Sequence, residues 1–298
     1  MFWNYLRKTT YNLIYLVLSI LFSTGLIVIF KYFGIYKVDV LKAICVNYIV
    51  ACSMGLLFAE RKIPITEIYL EPWFGSALIL GALFVSIFFV MAMTAQNNGV
   101  SVTSIAGKMS VVVPILFGII LYNESVTFLK ILGITIALIA VYLSSVKDEG
   151  SGKKGTLLFP ILLFLGSGMI DTLLKYIQVN YVADEDVPVF SAGLFGIAAI
   201  FGFTILAIRT LKKREAFGLK NILAGIILGV PNYFSIFFII KALQNKNFES
   251  STLFTINNVA IVIVSTLVGL LLFKEKFSLK NKIGVVLAIL GIVLVTIA

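Results

Sequence analysis

Pro114–Glu124 reads PILFGIILYNE and Ser265–Glu275 reads STLVGLLLFKE, and the two align without a gap. The register sets Gly118 on Gly269, Glu124 on Glu275, Thr127 on Ser278 and Gly133 on Gly284. Each copy is an apolar helix, a short acidic turn and a second apolar helix. Working outward, Ser23, Lys31 and Tyr32 fall on Ser167, Lys175 and Tyr176 at an offset of 144 residues. Ser86-Ile87-Phe88-Phe89 falls on Ser235-Ile236-Phe237-Phe238 at an offset of 149, and the hairpin itself repeats at 151. An offset that grows steadily along the chain is the mark of one duplicated unit with small insertions.

The composition fixes the solvent of that unit. Of the 298 residues, 60% are hydrophobic and 13% charged, against roughly 25% charged in a water-soluble domain. Ten apolar segments can be drawn, at 12–33, 40–59, 73–95, 101–122, 126–145, 156–177, 188–209, 220–243, 250–273 and 278–297. Each has about 20 residues, enough at ~1.5 Å per residue to cross a hydrocarbon core of about 30 Å. The expected fold is all-α and integral to the membrane, with ten transmembrane helices in two five-helix repeats. Residues 1–146 form the first repeat, 147–155 (KDEGSGKKG) a polar linker and 156–298 the second. Because each repeat has an odd number of spans, the second enters the membrane from the opposite side. Such inverted repeats suit a transporter whose halves rock about a shared site near mid-membrane. Arg7 and Lys8 precede an apolar run with no small-x-small cleavage site, which predicts an uncleaved first span.

The net charge of +10 would suggest nucleic acid in a soluble protein, but here the positive residues lie mostly in short connecting loops. Topology and anionic lipid account for them, and no nucleic-acid partner is expected. With cytoplasmic termini, Lys37, Lys147, Lys153, Lys154, Arg209, Lys212, Lys213, Arg214, Lys220, Lys274, Lys276, Lys280 and Lys282 would all be outside. Loop charge therefore favours termini outside. Cys45 and Cys52 stand seven apart on one helix, too far to bridge. There is no histidine, so neither a transition-metal site nor a His-based triad is expected.

The duplicated Pro-x-x-x-Gly…Glu…Gly hairpin, the ten spans and the chain length resemble the EamA-type transporters of the drug/metabolite transporter superfamily. The second copy departs from the pattern by having Ser265 where the first has Pro114. The resemblance implies a basket of two inverted repeats around a central cavity, cargo among small organic metabolites, and cytoplasmic termini.

Candidate site residues follow from what is costly in lipid. Lys108 lies about seven residues, ~10 Å, into the fourth span. There a cation either anchors an anionic group of the cargo or snorkels to the nearer surface. Asp171 and Lys175 sit one turn apart in the sixth span, as a proton-coupling carboxylate or an i, i+4 ion pair. Asn257 and Asn258 occupy the repeat positions of Ala106 and Gly107, just before the counterpart of Lys108, and read either as cargo contacts or as interhelical hydrogen bonds. Asn232 and Tyr233, following Pro231, are candidate cargo contacts beside a kink whose freed carbonyls need a partner, and Pro114 marks another kink. Glu124 and Glu275 read as carboxylates that cap a helix start, Gly133/Ala137 and Gly284/Ala288 as close-packing pairs, and Trp3 and Trp73 as interface anchors.

Without a P-loop, ATP hydrolysis by this chain is not expected. The leading reading is a secondary transporter of a small-molecule solute working by alternating access in the cell (inner) membrane, with the lipid bilayer as partner and no cofactor; a homodimer is compatible with it. The alternatives are an intramembrane enzyme acting on a lipid-linked substrate, for which Asp184-Glu185-Asp186 would have to hold Mg²⁺, and a non-transporting membrane scaffold. Neither cargo nor direction is written in the chain.

Overall fold

The computed structural model describes residues 2–59, 67–122, 126–146, 157–182, 186–212, 216–243 and 250–297. Among them are eleven α-helices: α1 (Phe2–Ile35), α2 (Val40–Phe58), α3 (Phe74–Asn97), α4 (Val100–Met109), α5 (Val112–Tyr122), α6 (Phe128–Ser145), α7 (Leu158–Tyr181), α8 (Val187–Lys212), α9 (Leu219–Leu243), α10 (Ser250–Leu271) and α11 (Leu279–Ile297). Nine described stretches are long and apolar enough to cross a membrane, and α10 holds a shorter apolar run, Thr255–Leu271. One of the nine, Val100–Ile120, comprises both α4 and α5. The chain is a multi-pass integral membrane protein whose fourth span is broken.

Local chemistry sets the helix starts. The Lys42 N–H donates to Asp39 Oδ1 at 3.3 Å ahead of α2, and the Lys130 N–H donates to Thr127 Oγ1 at 3.2 Å ahead of α6. At α11 the arrangement is reciprocal: the Asn281 N–H donates to Ser278 Oγ at 3.2 Å and the Ser278 N–H to Asn281 Oδ1 at 3.1 Å. Thr127 and Ser278 are repeat-matched, so both copies open their last helix with a hydroxyl cap. Glu124, Asp184 and Glu185 lie outside the described residues, as does the whole linker 147–155. Leu57, Ile120, Leu211 and Leu271 are largely exposed; such apolar surface belongs against lipid.

The main contacts between the halves obey the repeat. Exchanging each span for its counterpart maps the α2·α9 contact onto α3·α8, α1·α9 onto α3·α7, and α1·α10 onto α4·α7. The α6·α11, α2·α8 and α4·α10 contacts map onto themselves. Small residues draw two of these pairs together. A Cβ on Gly284 would lie 2.7 Å from Ser144 N, one on Gly133 2.6 Å from Val295 Cγ2, and one on Gly291 3.3 Å from Ala137 N. That is the α6·α11 contact, the fifth span on the tenth. Gly225 and Gly229 do the same for α9 on α2, with Ala43 O and Asn47 O at 2.6 and 2.8 Å from the missing Cβ atoms.

Spans alternate in direction, so the α1–α2, α3–α4, α6–α7, α8–α9 and α10–α11 connections gather on one membrane face, here face A, and the others on face B. Polar bridges cross between the halves on face A. Arg209 Nη2 and Nη1 donate to Asp39 Oδ2 and Oδ1 at 2.7 and 3.1 Å, and the Asp39 N–H donates to Asn221 Oδ1 at 3.0 Å. Lys42 Nζ donates to Ala216 O at 2.9 Å, and the Asn281 amide reaches the carbonyls of Leu143, Ser144 and Val146 at 2.9 to 3.1 Å.

Candidate functional site

The break in the fourth span follows from Pro114. A helical residue at 114 would donate its N–H to the Ser110 carbonyl, and proline cannot; its ring also crowds that carbonyl. The Val113 N–H takes the carbonyl instead, at 2.9 Å, in a tighter i, i+3 turn. α4 ends at Met109 and α5 restarts at Val112, where Pro114 falls in the first turn and its missing donor costs nothing. In the second copy Ser265 stands at the same repeat position, and α10 runs unbroken through it. Its hydroxyl donates to Ser104 Oγ on α4, and one turn away Ser101 Oγ and Thr266 Oγ1 share a hydrogen bond at 3.0 Å. The departure from the repeat thus exchanges a helix break for a polar rung between α4 and α10.

Lys108 is in the last turn of α4, just above the break and about 12 Å from the helix start. α7 presses on the break through Gly168, where a Cβ would lie 2.4 Å from Val113 Cβ and 2.7 Å from Ser110 O. One turn further along α7, Asp171 lies close enough to Lys108 for the two charges to interact. Ser110 Oγ donates to Gly107 O at 2.6 Å and lies 3.5 Å from Asp171 Oδ2. Its single proton is engaged by the shorter bond, so lone pairs on Oγ remain for a donor.

Asp171 is exposed and Lys108 is half-buried. A cation, a carboxylate and a hydroxyl near one break at this depth can hold an anionic group, a cationic group, or both.

The other candidates separate. Asn257 is buried, with only 5% of its surface exposed, and its Oδ1 has no hydrogen-bond partner among the described residues. It enters from face B, seven residues or about 10 Å along α10, so it and Lys108 approach the middle of the membrane from opposite sides. Asn258 is half-buried beside it. Asn232 is elsewhere: its Nδ2 donates to Asn47 Oδ1 at 3.2 Å in the α2–α9 contact. Tyr233 stacks on Phe58 with ring centroids 5.7 Å apart. Both serve packing in this structure, and Pro231 lies inside α9 without ending it. Lys175 is exposed one turn beyond Asp171, and no ion pair joins the two among the described residues. Trp73 is fully buried against Phe190 rather than anchored at an interface.

Glu275 was expected to cap α11 and does not. Its Oε1 accepts the Val100 N–H at 2.8 Å, at the start of α4 in the other half, and lies 3.6 Å from Lys31 Nζ. Ser110, Gly168 and the Ser104–Ser265 rung were missed by sequence reading. The signals were present, since a proline four residues after Ser110 and a glycine one turn before Asp171 mark a broken helix and a close crossing.

Residues 155–297 match the EamA-like transporter family. A protein of Haemophilus influenzae (strain ATCC 51907 / DSM 11121 / KW20 / Rd), described only as uncharacterized, is 28% identical over 286 residues, covering 93% of this chain and 95% of its own. Among solved structures, one crystal structure superposes with a TM-score of 0.57 at 14% identity over 98% of each chain, a likeness of fold alone.

Proposed function

We propose, on the premise that this is an EamA-type membrane protein of a small-solute transporter family, that the chain is a secondary transporter. It moves a small organic metabolite through the cavity between its halves by alternating access, without hydrolysing ATP, in the cell membrane. Lys108 in the last turn before the break of the fourth span, with Asp171 Oδ2 3.5 Å from Ser110 Oγ at that break, carries this reading. Two opposite charges at this depth are costly unless something polar passes there. Lys108 receives an anionic group of the cargo. Asp171 exchanges Lys108 for the cargo or for a proton as the cavity fills. Asn257 offers an unengaged carbonyl from the second half.

The test is counterflow in liposomes loaded with unlabelled amino acids, nucleosides or sugar derivatives. Labelled solute is expected to accumulate transiently without ATP, and Lys108→Ala is expected to abolish this at normal expression. Full counterflow by Lys108→Ala would remove Lys108 from the site.

A further inference from the structure

The recurrent Gly-x5-Glu spacing has a physical meaning in the second copy. The Glu275 N–H donates to Gly269 O at 2.9 Å, six residues back, with Lys274 in the left-handed region at φ 50°. This bond closes a seven-residue loop, Gly269–Glu275, at the end of the helix, and it folds the chain after α10 back over Gly269. The Glu275 carboxylate then fills a slot between two glycines. A Cβ on Gly269 would lie 2.5 Å from Oε2 and one on Gly99 would lie 2.6 Å from Oε1. Gly99, at φ 112°, is the residue before α4 and has no side chain of its own with which to cap that helix. Glu275 supplies the cap from the other half, on the positive end of the helix dipole.

The ammonium of Lys31 binds the same carboxylate and is 3.5 Å from the carbonyl of Gln96, whose amide in turn donates to Phe30 O at 3.2 Å. α1, the end of α3, the start of α4 and the α10–α11 turn therefore meet at one carboxylate on face A. The other end of α4 is the break at Ser110–Val111. α4 is a ten-residue rod held at its face-A end by Glu275, jointed at the opposite end by Pro114, and carrying Lys108 next to the joint.

We infer that Glu275 is a positioning residue for the candidate site: its carboxylate latches the face-A end of α4, and release of the latch lets α4 swing about the Ser110 joint, opening face A and moving Lys108 relative to Asp171. This rests on the transport reading only for its purpose; the latch and its release are properties of the protein without cargo. By contrast, the glycine-packed α6·α11 contact is the fixed part of the bundle.

The test reads the latch directly. In a background with Cys45 and Cys52 replaced by Ala, Ser101→Cys places a thiol on α4, at a position buried against Thr266. Its rate of labelling by a charged methanethiosulfonate reagent reports how often face A opens. Glu275→Gln exchanges a charged acceptor for a neutral one, and labelling should quicken about tenfold. Lys31→Gln, which leaves the Val100 bond in place, should give a smaller increase. Ala137→Cys, packed at Gly291 in the α6·α11 contact, should label at an unchanged, slow rate in both variants.

Unchanged labelling of the thiol at position 101 in a monodisperse Glu275→Gln protein would overturn the latch, and equal acceleration at positions 101 and 137 would overturn it as general loosening. A disulfide formed between Ser101→Cys and Thr266→Cys should stop counterflow until reduced; undiminished counterflow in the oxidised protein would also overturn the proposal. Accelerated labelling at position 101 with no counterflow for any solute would leave the latch standing and count against the transport reading alone.

Discussion

Gly168→Ala puts a methyl group where α7 crosses the break of the fourth span. The added Cβ would begin 2.4 Å from Val113 Cβ and 2.7 Å from Ser110 O. Ordinary carbon contacts lie at about 3.5–4.0 Å, so the helices must part by roughly 1 Å. Overpacking of this kind costs about 1–3 kcal/mol, while exchanging glycine for alanine within a helix returns about 1 kcal/mol. The net destabilisation is thus on the order of 0–2 kcal/mol, and the protein should still fold.

The geometry suffers more. Ser110 Oγ and Asp171 Oδ2, 3.5 Å apart, lose contact once the helices separate. A misplacement of about 1 Å can cost an enzyme on the order of 10²-fold in rate, and here counterflow should fall at least tenfold. The assay pairs thermal unfolding of the purified protein with counterflow in liposomes. Gly25→Ala and Gly75→Ala, whose new methyls meet nothing within 4 Å, serve as controls and should transport normally. Wild-type counterflow by Gly168→Ala would refute the claim that the α7 crossing sets the site.

Other perturbations test separate links. Pro114→Ala restores a donor for the Ser110 carbonyl, so α4 and α5 should join into one helix; we expect higher thermal stability and lost transport, and unchanged transport would dispose of the joint. Asp171→Asn should flatten the pH dependence of transport, an identical profile excluding proton exchange at that carboxylate. Asp39 lies outside the spans: burial alone would raise its pKa, but the hydrogen bonds and charges of Arg209 and Lys42 outweigh burial and hold the carboxyl below its usual range. A lowered folded pKa gives stability that is complete above the ordinary carboxylate pKa and is lost as pH falls through the lowered value. Melting temperature should therefore drop on strong acidification in the wild type and less steeply in Asp39→Asn; equal acid limbs would show that the Arg209 bridge contributes nothing to stability. Gly99→Ala should destabilise the protein, because φ 112° strains any side chain there and the methyl would displace Glu275; an unaltered melting curve would contradict that.

The fold was legible because its strongest signals are one-dimensional. Apolar length gave the spans, and the Gly118/Gly269 and Ser86/Ser235 registers gave the duplication before any contact was seen. The packing role of Gly133 and Gly284 was legible for the same reason, since small residues spaced along one face can serve only close approach in lipid. What a side chain meets across the bundle was not. Asp171 and Lys175 are neighbours in sequence, yet the crossing at Gly168 brings Asp171 to Ser110, 61 residues back in the chain. Asn232 looked like a cargo contact because it follows a proline, but the close approach of Gly229 to Asn47 O leaves it bonded to Asn47. Glu275 was read as a cap, which it is, but for a helix 175 residues distant. Each of these depends on which helices cross and where, and that information is shared between segments far apart in the chain.

The central claim, that a small solute passes at Lys108 and Asp171, is tested most directly by ATP-free counterflow in liposomes containing wild-type or Lys108→Ala protein. The account requires saturable counterflow of at least one solute by the wild type and its loss in Lys108→Ala with folding and expression intact. Absence of counterflow across amino acids, nucleosides and sugar derivatives, or equal counterflow by the two proteins, would contradict it.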